Sequence, residues 1–360
     1  MQPNCLNYPI ETTVGVFDES NETLVRMLKA DGRTDGVRVL IVADHNVVQH
    51  TADIGPRIGR YMRTHGLQLA GNPIVIGGGE KIKSDNLQTA MRTAAAMLSA
   101  RLSRRDFVVI IGGGTVLDVA GYAAAQVRGG VRTIRIPTTP TAMIEAAFAD
   151  YAAVDSLNVK DALRIPSTPA GVIIDTAFGA TVLDGVWRGG YAPAVRIALA
   201  CDASLLQLLA DKAAAFQKRD MSTLEEIVAA CLKIRRERTI PAIGLWGAYR
   251  MEAMSGYKLP HGYAIAIGVM IDCCYAQTKG WITAEERESV MSVLRNCGAL
   301  DGAVHSRHLL SQTEAVVLGM DAWMLTTGEN RMEFPVKLGE AAFVDNPDRA
   351  AMKSALNLIK

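Results

Sequence analysis

Residues 107–139 constrain this chain more than any other stretch: FVVIIGGGTVLDVAGYAAAQVRGGVRTIRIPTT. The unbroken apolar run at 107–111 reads as a strand buried on both faces, as strands of a parallel sheet are. It empties through Gly112, Gly113 and Gly114 into an Ala-rich segment that reads as a helix. A strand that turns through glycines into a helix N-terminus makes an anion site. Its backbone can approach a phosphate, and the leading N–H groups have no partner of their own. Asp118, four residues after Gly114, is spaced to meet a hydroxyl or a cation beside that loop. A second strand at 133–136 ends in Pro137-Thr138-Thr139. That sets two hydroxyls at a strand's carboxyl end, the edge where open α/β sheets bind ligands.

The same alternation runs through the first half of the chain. Strands at 37–43, 73–76 and 171–174 interleave with helical stretches at 55–65 and 84–101, which predicts a mostly parallel sheet covered on both faces. The segment Asp44-His45-Asn46 reads as a loop after the first of these strands. Beyond Thr176 helical periodicity takes over, at 191–209, 224–236, 243–254, 263–279 and 283–296. One exception, at 331–343, reads as a short hairpin. The chain is therefore expected to hold an α/β, Rossmann-like domain at 1–176 and an all-α domain at 177–360.

Composition narrows the class. An apolar fraction of 49% over 360 residues supports two full cores. With 38 basic against 37 acidic residues the formal charge is +1, so no global field suits nucleic acid or an anionic membrane. The cysteines (Cys5, Cys201, Cys231, Cys273, Cys274 and Cys297) show no CxxC spacing and read as buried, reduced thiols of a cytoplasmic protein. The most apolar stretch, 264–274, is interrupted by Asp272 and too short to span a bilayer. No His-Glu-x-x-His, Gly-x-Ser-x-Gly or Walker lysine motif occurs. His305 and His308 read as exposed, Asp150 and Arg164 as surface residues, and Glu252 as a helix-face residue.

Taken together, these residues resemble the dehydroquinate synthase-like superfamily, the sugar phosphate cyclases, from about residue 37 to 341. The resemblance implies an N-terminal nucleotide-binding domain, a helical C-terminal domain, an active site in the cleft between them and a homodimer. It implies that Asp44, Asn46 and Val47 hold the adenosine ribose of NAD. Gly79-Glu80-x-x-Lys83 matches the family's Gly-Glu-x-x-Lys segment, Gly112–Gly114 with Asp118 its pyrophosphate and nicotinamide loop, and Thr138 with Thr139 its Pro-Thr-Thr strand end.

The catalytic half departs from the pattern. Family members hold a divalent metal with one glutamate and two histidines. Here the glutamate position falls on Pro193, and the first histidine of the Gly-His-Thr-x-Gly-His motif falls on Leu245, in Gly244-Leu245-Trp246-Gly247-Ala248-Tyr249. Only His261, in Pro260-His261-Gly262, stands where the last ligand belongs. One imidazole does not make a catalytic zinc site, which needs three protein ligands, so no metal is expected. A family lysine becomes Arg196, another falls on Tyr151, and an asparagine beside Lys160 becomes Asp161. Losing these cations weakens the case for a substrate carrying both phosphate and carboxylate, so dehydroquinate synthase itself is not expected. Glu145, Lys160, Arg196 and His261 remain as catalytic candidates.

The resemblance implies an NAD-dependent cyclase acting on a small polyhydroxylated compound of specialised metabolism. In that chemistry an alcohol is oxidised transiently, phosphate is eliminated, the ketone is reduced back and the ring closes. An NAD-linked polyol dehydrogenase and a non-catalytic NAD-binding paralogue are the alternatives.

Overall fold

The computed structural model describes residues 6–33 and 36–359, apart from the side chains of Val304 and His305. Cys5 and the His305 side chain thus lie outside the described residues. By packing, the chain divides into Leu6–Val182 and a second unit from Leu183 onward.

The first unit is built on a seven-stranded, fully parallel sheet. Its strands are β1 (Ile10–Thr13), β2 (Arg38–Asp44), β3 (Gln68–Leu69), β4 (Ile74–Ile76), β5 (Phe107–Gly112), β6 (Arg132–Pro137) and, after a hairpin, β9 (Gly171–Asp175). The spatial order is β1-β9-β6-β5-β2, with β2 pairing β3 near its start and β4 at its end. Every residue of β5 is buried, which is why the sequence there is continuously apolar rather than alternating. The Gly114–Gln126 helix is rich in alanine because it must pack closely. A Cβ on Gly121 would lie 3.2 Å from Ala152 Cβ, on the antiparallel hairpin of β7 (Tyr151–Ser156) and β8 (Val159–Pro166). That hairpin has no periodicity signal of its own in the sequence.

The second unit is helical apart from the hairpin of β10 (Arg331–Lys337) and β11 (Glu340–Asp345), where the sequence places one. The periodic stretch at 191–209 is two helices, Ala192–Cys201 and Ala203–Gln217. Asp202 separates them: its backbone is extended, and its carboxylate accepts the Ser204 N–H at 2.9 Å to cap the second. The His261–Thr278 helix is buried along most of its length and crosses its neighbours at glycines. A Cβ on Gly268 would overlap the Gly244 carbonyl, and one on Gly262 would overlap that of Gly189. Asp272, fully buried on this helix, accepts the Gly244 N–H at 2.5 Å and the Trp246 indole N–H at 2.7 Å. Cys201, Cys231, Cys273, Cys274 and Cys297 are buried free thiols. Among the described residues no helix is long and apolar enough to cross a membrane.

Candidate functional site

Strand order locates the first site. From β5 the chain moves to β6 on one side, and from β2 to β3 and β4 on the other, so the direction reverses between β2 and β5. The carboxyl end of that pair is where a doubly wound sheet opens a crevice. Asp44 closes β2 there, and Gly112 closes β5. Asp44 is not in a loop, as its sequence context reads. Its carboxylate accepts the Asn46 N–H at 2.9 Å and starts the His45–His50 helix. Burial raises its pKa, against the Asn46 and Gly113 N–H groups, which lower it. Asn46 is exposed, whereas Val47 is turned into the core. A Cβ on Gly78 would lie 2.7 Å from Asp44 Oδ2, so only glycine lets that loop pass.

The glycine turn behaves as its sequence reads, for a reason of space rather than dihedral. Gly113 has φ −72°, open to any residue, but a Cβ on Gly112 would sit 2.6 Å from Val116 Cγ1, and one on Gly113 3.1 Å from Thr139 Cγ2. The Gly114–Gln126 helix has no side-chain cap, leaving its leading N–H groups at the crevice for an anion. Thr138 is buried with its N–H on the Gly112 carbonyl at 3.1 Å, and Thr139 caps the Pro140–Ile144 helix through Ala142 N–H at 3.2 Å. An acid at the β2 end, a glycine cradle and an uncapped helix N-terminus fit a dinucleotide's ribose and pyrophosphate.

Behind this crevice lies a buried ionic cluster that sequence reasoning found only in part. Lys83 Nζ sits 2.5 Å from both Asp118 Oδ2 and Asp161 Oδ1. Lys160 pairs with Glu80. Asp155 accepts the Asp161 N–H at 2.9 Å and donates its own N–H to the Lys83 carbonyl at 2.9 Å. Burial alone would lower the Lys83 pKa, but the surrounding carboxylates, led by Asp118 and Asp161, hold it well above the usual lysine value. Burial raises Asp118 against the pull of Lys83, and pushes Asp155 up to about 6. Asp118 therefore does meet a cation near the loop, and that cation is Lys83. Lys160, one of the four catalytic candidates, has its ammonium buried on Glu80, so it is not an open anion site. Asp161 stands at the family's asparagine position beside Lys160, whereas Asp155 carries no motif of its own.

Glu145 follows the Pro140–Ile144 helix, its N–H on the Thr141 carbonyl at 2.9 Å. The segment after it is clamped by buried Arg135, which donates to the carbonyls of Ala147 (3.1 Å), Ala149 (2.6 Å) and Ser167 (2.5 Å).

In the second unit, Arg196 is 2% exposed and donates to the Pro241 carbonyl at 2.5 Å, while Glu333 holds the adjacent Ala242 N–H at 2.7 Å. Pro193 lies in the first turn of the Ala192–Cys201 helix, where proline is favoured, and Leu245 opens the Leu245–Met254 helix. Neither side chain can donate to a metal. Among the described residues no group of three or more His, Cys, Asp or Glu side chains is placed to hold one. The residues do not fit a three-ligand zinc. His261 begins the His261–Thr278 helix, and its Nδ1 lies 3.0 Å from Glu252 Oε2. Glu252 is fully buried, not on an outward helix face. The signal was in the sequence: it follows buried Ala248 by one helical turn, on the apolar stripe. The Tyr249 ring lies 6.3 Å from the His261 ring and 5.6 Å from Trp323. His308, Asp150 and Arg164 are exposed.

A parallel sheet whose reversal point carries these groups defines the first unit as a nucleotide-binding fold. Residues 73–187 match the model of the 3-dehydroquinate synthase N-terminal domain, and residues 190–313 that of the C-terminal domain. The chain is 25% identical over 359 residues to a 2-epi-5-epi-valiolone synthase of Streptomyces glaucescens, covering 96% of this chain and 88% of that one. It is 32% identical over 251 residues to a 3-dehydroquinate synthase of Aeropyrum pernix, covering 67% and 69%. Its fold superposes with a TM-score of 0.83, at 22% identity, on ValA, a 2-epi-5-epi-valiolone synthase from Streptomyces hygroscopicus subsp. jinggangensis 5008 with NAD+ and Zn2+ bound. That superposition covers 98% of this chain and 96% of that one. The chain belongs to the dehydroquinate synthase-like superfamily, the sugar phosphate cyclases.

Proposed function

We propose that this protein is an NAD-dependent sugar phosphate cyclase of specialised metabolism, working without the family's divalent metal on a substrate less anionic than a phosphorylated sugar acid. The crevice of Asp44, Gly113 and Thr139 carries the cofactor reading. NAD, when bound, takes a hydride from a substrate alcohol and returns it. Asp44 would orient the ribose, the Gly113–Gly114 backbone would receive the pyrophosphate, and the Lys83–Asp118 pair would fix the far end of the loop. Glu145 and His261 are the proton-transfer candidates, and Arg196 the cation nearest the lost lysine. Lys160 acts through Glu80 rather than on the substrate. Residues 1–176 would form the cofactor domain and 177–360 the helical domain of a cytoplasmic homodimer.

The test is a panel of sugar phosphates and free polyols, followed at the NADH absorbance band and by phosphate release. Phosphate release without net NADH is expected. Stoichiometric NADH would instead make the protein a polyol dehydrogenase. Neither signal, with NAD still bound, would make it a non-catalytic paralogue.

A further inference from the structure

The formal charge of +1 is unevenly placed. At the amino ends of β2, β5 and β6, the edge of the sheet away from Asp44 and Gly112, arginines gather from several separate segments of the chain. Some of them have a plain role in the fold. Arg38 donates to the Ala100 carbonyl at 2.7 Å and the Arg101 carbonyl at 3.1 Å, and lies 3.5 Å from Asp106. Arg104 donates to the Arg128 carbonyl at 3.3 Å. These contacts satisfy carbonyls left over beyond the Gln88–Ser99 and Gly114–Gln126 helices, which finish at this edge. Arg33 and Arg132 share Asp31, each at 3.0 Å, and Arg132 also lies 3.9 Å over the Phe107 ring. The two guanidiniums hold the Asp31 carboxyl down at about 2, so it is one lasting anion between two cations.

Arg101, Arg105 and Arg128 have no such role. All three are exposed, and among the described residues their side chains make no hydrogen bond or ion pair. Arg101 and Arg128 moreover sit at φ 53° and φ 50°, the left-handed region that favours glycine, so each stands against the preference of its backbone. The edge thus carries a surplus of guanidinium groups, set out across neighbouring strands about 5 Å apart. Its surroundings select the anion. A phosphate site draws on backbone N–H groups and helix N-termini, whereas this edge presents helix carboxyl ends, whose dipoles oppose a compact phosphate. Recognition must come from side chains spread over the surface. That suits carboxylates spaced along a chain, each taken by a guanidinium fork.

We propose that this edge is a docking surface for an acidic segment of a partner protein, gripped by Arg101, Arg105 and Arg128. It lies at the opposite end of the strands from the cofactor crevice, so the partner and NAD can be bound together.

The test is fluorescence anisotropy of a labelled polyglutamate peptide on the whole chain, with NAD in excess so that the crevice does not report. A triple variant, Arg101→Gly with Arg105→Gln and Arg128→Gly, should lose about tenfold in peptide affinity and keep its NAD affinity. Its Tm should not fall, because glycine relieves two left-handed backbones. Lys218→Gln with Arg295→Gln and Arg307→Gln removes the same charge from exposed sites of the second unit. That control should stay within about twofold of wild type. No binding by the wild type at physiological ionic strength, an unchanged affinity in the folded triple variant, or an equal loss in the control overturns the proposal. So does tighter binding of tripolyphosphate, or of phosphatidylserine vesicles, through the same three arginines, which would make the edge a phosphate or membrane site. Should the triple variant not fold, Arg105→Gln alone carries the comparison, with about a twofold loss expected.

Discussion

Asp272 gives the second unit a pH dependence that can be worked through. Its carboxylate has no contact with water and meets two donors, the Gly244 N–H at 2.5 Å and the Trp246 indole N–H at 2.7 Å. Burial favours the neutral acid, the two donors favour the anion, and burial wins, raising the pKa from 3.8 to about 7. The folded state therefore binds this proton more tightly than the unfolded chain. Its contribution is fully present below the unfolded value near 4 and is lost as pH rises through 7. Three pKa units correspond to roughly 4 kcal/mol, of which about 2 to 3 kcal/mol falls between pH 5 and pH 8. Asp272→Asn cannot titrate and turns an amide N–H2 toward a donor, so it should be less stable at pH 5 by about 1 to 3 kcal/mol. That deficit should shrink, or change sign, at pH 8. Urea unfolding of both proteins at pH 5, 6.5 and 8 reads the difference directly, and other titrating groups cancel. A difference that stays constant within about 1 kcal/mol would refute the reasoning and mean that the two N–H donors outweigh desolvation.

Other outcomes follow from the first unit. Gly113→Leu should lose most NAD affinity by calorimetry, since even its Cβ would lie 3.1 Å from Thr139 Cγ2. Gly112→Ala should cost about 1 to 3 kcal/mol by overpacking against Val116, read as a lower Tm. Lys83→Met would strand Asp118 and Asp161 without their shared cation and should cost about 3 to 5 kcal/mol in chemical unfolding. Elemental analysis of protein purified without chelator should find no stoichiometric divalent metal, because Pro193 and Leu245 supply no donor.

Much of the nucleotide-binding unit was legible because its signals are local. A buried parallel strand is a continuous apolar run, and β5, β6 and β9 lie within a residue or two of where such runs place them. The glycine turn needs only neighbours in sequence. The charged groups were harder to read, because a charge looks alike whether it is solvated or buried against a partner far along the chain. Lys160 reads as a catalytic candidate, yet its ammonium is buried on Glu80; Glu252 reads as a helix-face residue, yet it is fully buried beside His261. Asp202 shows the opposite case, a helix break written plainly by a capping residue and hidden only by the apolar periodicity on either side.

The glycine crossings of the His261–Thr278 helix reach beyond packing. Where Gly268 meets the Gly244 carbonyl and Gly262 meets that of Gly189, backbone rests on backbone, and neither contact has a side chain that can yield. The helix cannot slide along its axis or roll without breaking one of them. His261, in its first turn, is thus held by a scaffold that remains in register whatever side chains surround it. Such a frame makes this region suited to installing new side-chain chemistry. Residues 193, 245 and 249 can be varied in a library, while the glycines at 189, 244, 262 and 268 must be left alone.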